Sequence, residues 1–125
     1  AEARTAMAYI QDKKNGGELS ARLLVSLYRE AKQTHFLYGL AELTSLEPET
    51  VSDLIERRDV DGLAMICRAA GIERPLFVTL AVLSCGGDAA IQRAEEFGRM
   101  YNDVPIEAAQ RAMRFFKVRK TVNAA

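Results

Sequence analysis

The chain has 125 residues, enough for one domain with a real core, and 49% of them are apolar against 27% charged, an ordinary globular balance. Seventeen basic residues match seventeen acidic ones, so no overall field favours nucleic acid or an anionic membrane. The longest apolar run, Phe77 to Cys85, is too short to cross a bilayer and is interrupted by Thr79 and Ser84.

Helical periodicity dominates, and no segment alternates as a strand would. Residues 2–14 are expected to form a leading helix, closed by Asn15-Gly16-Gly17. Leu23, Leu24, Leu27, Tyr28 and Ala31 then make an i, i+3, i+4 stripe on a second helix. Thr34 is placed to cap a third, which carries Phe36, Leu37, Leu40, Ala41 and Leu43. Pro48 suits the first turn of a fourth, with Val51, Leu54 and Ile55 facing inward. Asp59 or Asp61 caps a fifth that stops at Gly71. Pro75 starts a sixth, and "PLFVTLAVLSC" is apolar on nearly all sides, which predicts the buried centre of the domain. After Gly86-Gly87, Asp88 is expected to cap a seventh helix with Ile91, Ala94, Phe97 and Tyr101 on one stripe. Val104-Pro105 opens an eighth, striped by Ile106, Ala109, Met113 and Phe116. The organisation read is a single domain over 1–125: leading helix and loop 1–17, helical core 18–117, and a loose tail 118–125.

The proline positions suggest a repeat. "GLAELTSLEPETVSDLI" from Gly39 aligns with "GLAMICRAAGIERPLFVTLA" from Gly62, so that Leu46-Glu47 matches Ile72-Glu73 and Leu54 matches Leu80. A weaker copy, "EFGRMYNDVPIEAAQRAM", again starts its second helix at Val104-Pro105. A helix pair of this kind cannot bury its apolar face alone, so neighbours stack. The expected fold is all-α: an irregular α-solenoid of seven to eight short stacked helices.

The run "LAELTSLEPETVSDLIERRDVDGLAMICRAAGIERPLF" resembles the HEAT-like helical domain of unknown function 2336, seen mainly in alphaproteobacteria. The family's "LAxLxxLxPExVxxLL" element, short acidic loop and "ALAxLxRAAGLxxxxF" element correspond to Leu40–Ile55 and Gly62–Phe77. The resemblance implies an all-helical, repeat-like fold and carries over no catalytic or binding residue.

"LAELTSLEPETVS" also looks like the DNA-binding helix pair of bacterial repressors, with Ala41 packing on the second helix and Val51 anchoring it. Ser45 stands where that motif usually has glycine. Its chemistry is wrong for DNA, because Glu47, Glu49, Asp53, Glu56, Asp59 and Asp61 outnumber Arg57 and Arg58 and would repel phosphates. The basic end is the better electrostatic candidate. "RAMRFFKVRK" holds Arg111, Arg114, Lys117, Arg119 and Lys120, no acid and two adjacent phenylalanines. The plain reading is a terminal helix with Met113 and Phe116 packed inward and cations complementing its dipole. Its exposed basic face is still where an acidic partner would dock.

His35, the one histidine, raises a phosphotransfer reading. Lys32 is near, but Phe36 and Leu37 follow directly where such bundles keep room for a phosphoryl group. A solvated or capping histidine is the simpler account. Cys67 and Cys85, without a CxxC companion, read as small core residues. Gly86-Gly87-Asp88 is explained by helix caps, and Glu95-Glu96 by surface pairing with arginines. No nucleophile, base and orienter come together, so catalytic, metal and cofactor sites are assigned to no residue and an enzyme is not expected. Tyr28, Phe36, Tyr38 and Tyr101 either line a concave binding face or fill the core. The functional expectation is a non-catalytic protein–protein interaction module, regulatory or scaffolding. The alternatives are a helix-turn-helix DNA-binding regulator and a histidine-phosphotransfer module. The partner is expected to be a protein, with a homodimer open. No signal peptide is legible, so the location expected is cytoplasmic.

Overall fold

The computed structural model describes the backbone of residues 1–124, and the side chains of all of these except Asp88 and 119–124. Eight α-helices follow in chain order: α1 (Glu2–Asn15), α2 (Ala21–Arg29), α3 (Gln33–Thr44), α4 (Pro48–Glu56), α5 (Val60–Ala69), α6 (Arg74–Cys85), α7 (Ala94–Asn102) and α8 (Ile106–Ala124). Among the described residues there is no strand. The all-α, stacked-helix expectation therefore holds.

One backbone device sets the rhythm. The residues just past α1, α2, α3, α4 and α5 are Gly17, Ala31, Ser45, Arg58 and Gly71, and all five have positive φ, from 52° to 75°. Each donates its N–H to the carbonyl three residues back, and the next residue donates to the carbonyl five back; Gly71 N to Arg68 O at 3.1 Å and Ile72 N to Cys67 O at 3.0 Å are typical. This pair of bonds satisfies carbonyls the helix end would leave open. It also reverses the chain, so successive helices fold back on one another. In the α3–α4 and α5–α6 turns the next residue is aliphatic, Leu46 and Ile72, and packs on the core. Glu47 and Glu73 follow in extended conformation, and a proline sits in the first turn of the next helix. The matching of Leu46-Glu47 with Ile72-Glu73 is thus a match of geometry. Val104 and Pro105 enter α8 differently: Val104 N bonds Tyr101 O at 3.2 Å, and Asp103 is not left-handed.

Packing follows from the apolar stripes. α1 packs on α3, α3 on α5 and α5 on α8, so these four form a row with α1 and α8 at its ends. α6 lies against α2, α4, α5 and α7, with Phe77, Leu80 and Ala81 fully buried, the central position its composition predicts. Polar bonds to backbone carbonyls tie the last helices on. Tyr101 Oη donates to Ile72 O at 2.6 Å, Arg68 Nε to Val104 O at 3.1 Å, and Arg74 Nε to Gly98 O at 3.2 Å. Phe77 and Tyr101 stack at 4.2 Å between centroids, which adds to their area burial.

Four local expectations are corrected. Ala31 is exposed and lies beyond α2, because the left-handed turn removes it from the stripe. Thr34 sits inside α3 rather than capping it, and its hydroxyl donates to Glu2 Oε1 at 2.7 Å, joining α3 to α1. α7 starts at Ala94, not after Asp88. Residues 87–89 and 91–93 wind as tighter 3-10 turns, so the stripe does not reach back to Ile91, which is 79% exposed. The eighth helix also runs further than the 18–117 core: α8 extends to Ala124, since nothing from Ile106 onward is glycine or proline to stop it.

Candidate partner-binding surfaces

α8 is longer than any other helix and carries the predicted basic segment. Its inner stripe is Ala109, fully buried, with Met113 and Phe116 half-buried against the core. Arg111, Arg114 and Lys117 are exposed, and Phe115 and Val118 between them are 63% and 61% exposed. Phe115 leans edge-on against Phe116 at 6.0 Å. Among the described residues Arg111 and Arg114 form no ion pair. From Ala108 to Val118 there is no acid, so the charge on this stretch is purely cationic, with Gln110 its one other exposed polar side chain. The side chains of Arg119 and Lys120, the other two predicted contacts, lie outside the described residues.

A second feature was not anticipated from the sequence. A cleft of about 400 Å³ opens between α1, α3 and the start of α4, within the size range of ligand pockets. Ile10, Ala41 and Leu46 are buried and form its floor. Met7, Tyr38 and Pro48 flank it, and Gln11, Glu42, Glu47 and Glu49 add polar groups. Lys14 pairs with Glu42 on this side of the molecule. Most of these residues belong to the stretch that resembles a repressor helix pair. Ser45, at the position where that motif has glycine, is left-handed with φ 58°. The outer side of α4 presents Glu49, Asp53 and Glu56, while Val51 and Leu54 are buried. What the second helix of the pair turns outward is acidic.

The aromatic residues divide. Phe36 and Tyr101 are core, each 2% exposed. Tyr28 packs edge-on against Phe36 at 5.0 Å, and of the four only Tyr38 lines the cleft. His35 is half-buried, with the Tyr9 ring edge-on to it at 5.2 Å. Cys67 and Cys85 are free and buried, and burial raises both thiols, Cys67 well above the ordinary range. Glu95 and Glu96 pair with Arg99 and Arg93 at 2.9 and 3.1 Å. Glu96 is accordingly held below the usual carboxylate range by the Arg93 hydrogen bond and charge. Among the described residues, no group of three or more His, Cys, Asp or Glu is placed to hold a metal ion, and no helix is long and apolar enough to cross a membrane.

Comparison with curated proteins and with solved structures gives no match. A family model does match, over residues 1–114, so it takes in every helix up to the middle of α8. The chain belongs to that family, described as an uncharacterised protein conserved in bacteria (DUF2336).

Proposed function

We propose that the chain is a non-catalytic protein–protein interaction module: a HEAT-like stack of helix pairs, regulatory or scaffolding in role and cytoplasmic. The observation that carries this is the outer face of α8. Two large apolar side chains, Phe115 and Val118, stand more than half exposed among Arg111, Arg114 and Lys117. Apolar side chains ringed by cations suit a desolvated contact whose rim reads an acidic surface. The recurring left-handed turns, 13 or 14 residues apart from Gly17 to Gly71, support the stacked-pair reading, since equal turns stack equal units.

The test is affinity capture from a bacterial lysate with the wild-type chain and with Phe115→Asp and Arg114→Glu. A partner identified by mass spectrometry, held by the wild type and lost from both variants, is the expected result. Capture unchanged in both variants would refute the role of α8. A gel shift on random duplex at low salt should show no binding. Salt-sensitive binding that disappears on charge reversal of Arg114 and Lys117 would make the chain a nucleic-acid binder instead. Phosphoryl transfer from a response regulator that is lost in His35→Ala would overturn the non-catalytic reading.

A further inference from the structure

We infer that the cleft between α1, α3 and α4 is a docking site for the exposed face of α8 from a second copy of this chain. The inference rests on reading α8 as the partner-contacting surface, and it supplies the partner. The two surfaces match in chemistry. The cleft has an apolar floor of Ile10, Ala41 and Leu46, and carboxylates at Glu42, Glu47 and Glu49. The α8 face has Phe115 and Val118 exposed, with Arg111, Arg114 and Lys117 around them. Glu42 is already paired with Lys14, so the cleft offers the carboxylates of Glu47 and Glu49 to the cations of α8, and a cleft of about 400 Å³ is of a size to accept side chains as large as these.

Placement decides between self-docking within one molecule and docking between molecules. In the row α1–α3–α5–α8 the cleft belongs to the α1 end and the basic face to the α8 end. α8 is already packed along α5 of its own chain, so the helix that fills the cleft comes from another copy. Such a contact is head-to-tail. It adds copies stepwise unless the rotation between them closes a ring. Opposite charges across it speed association and make it salt-sensitive.

Charge exchange tests this on the full chain. The wild type should self-associate reversibly in sedimentation velocity, and less at high salt. Glu47→Lys with Glu49→Lys makes cleft and helix both basic. Arg114→Glu with Lys117→Glu makes both acidic. Each double variant alone is expected to sediment as a monomer. A one-to-one mixture restores an acidic-with-basic pairing at every contact and should recover the larger species, which also shows that both variants are folded. A wild type that stays monomeric up to about 1 mM, the weak end of specific association, overturns the inference. So does a mixture that stays monomeric. Capture of an unrelated partner through Phe115 would survive that failure, so the two readings fail separately. Co-flotation of a monomeric wild type with phosphatidylserine vesicles, lost on Arg114→Glu with Lys117→Glu, would assign the α8 face to lipid and likewise overturn it.

Discussion

Gly71→Ala isolates the cost of the turn that recurs along the chain. Gly71 has φ 75°, and a Cβ added there would meet no heavy atom within 4 Å. Packing therefore contributes nothing, and only the backbone changes. Holding an L-residue in the left-handed region costs about 1–2 kcal/mol. Alanine recovers about 0.4–1 kcal/mol by restricting the unfolded chain. The net loss should centre on about 0.8 kcal/mol, opposite in sign to the usual benefit of alanine over glycine. Ala31 has the same geometry, with φ 60° and an exposed side chain, so Ala31→Gly should stabilise by a similar amount. Urea unfolding followed by circular dichroism reads both, as midpoint shifts of about 0.3–0.5 M for a slope near 2 kcal/mol/M. The slopes should stay unchanged. If Gly71→Ala proves neutral or stabilising, or Ala31→Gly destabilising, the shared left-handed turn is not what ends these helices.

Other substitutions probe the core and its polar ties. Leu80→Ala, fully buried on α6, should cost about 2–5 kcal/mol, and a cost under about 0.5 kcal/mol would remove α6 from the centre. A Cβ on Gly39 would land on Leu24 Cδ2 and come 3.1 Å from Ile10 Cδ1, so Gly39→Ala should lose about 1–3 kcal/mol by overpacking; a neutral result would show that α1, α2 and α3 are not so closely packed. Tyr101→Phe leaves Ile72 O without its donor and should cost about 1–3 kcal/mol, checked by the same unfolding curves. Burial raises the Cys67 and Cys85 thiols, so the native state keeps protons that the unfolded chain releases. Stability should be complete below about pH 8.5 and fall above it, by up to about 1.4 kcal/mol per pH unit for each thiol. Neither thiol should react with Ellman's reagent until the chain is unfolded, and fast reaction of the native protein would refute their burial.

The elements legible in the sequence are those whose signals are local. Proline in the first turn of α4 and α6 marks helix starts without reference to anything distant. Asp59 accepts from Gly62 N at 2.9 Å, as a residue three positions before a glycine in a new helix can. Thr34 shows the limit. Its type and place suit a cap, but α1 offers Glu2 as a partner across 32 residues, and the hydroxyl takes it. The left-handed turns were legible where they use glycine, and at Ser45 only through the repressor-like motif that puts a turn there. Ala31, Ser45 and Arg58 have no turn signature of their own. They are held left-handed by the helix before and the helix after, and tertiary packing overrides their preference. The same override explains Ile91, which continues the α7 stripe on paper but falls where the chain winds as 3-10 turns.

For the candidate surfaces the division is sharper. The cationic run on α8 is contiguous in sequence, so charge counting finds Arg111, Arg114 and Lys117 without a structure. The placing of Phe115 and Phe116 comes instead from the helical stripe, which turns Met113 and Phe116 inward: Phe116 packs on the core while Phe115 stands out among the cations. The cleft had no comparable signal. Met7 and Ile10 come from α1, Tyr38 and Ala41 from α3, and Leu46 and Pro48 from the turn and first residue of α4. Only the packing of α1 on α3 brings them together. Yet the acids beside it are legible in the sequence, for a different reason, as groups that repel DNA. The same carboxylates that argue against phosphate make the edge of the cleft attractive to a cationic helix. On the proposed reading, a repressor-like turn with its charge reversed binds protein, and the basic helix that suits it is encoded in the same chain.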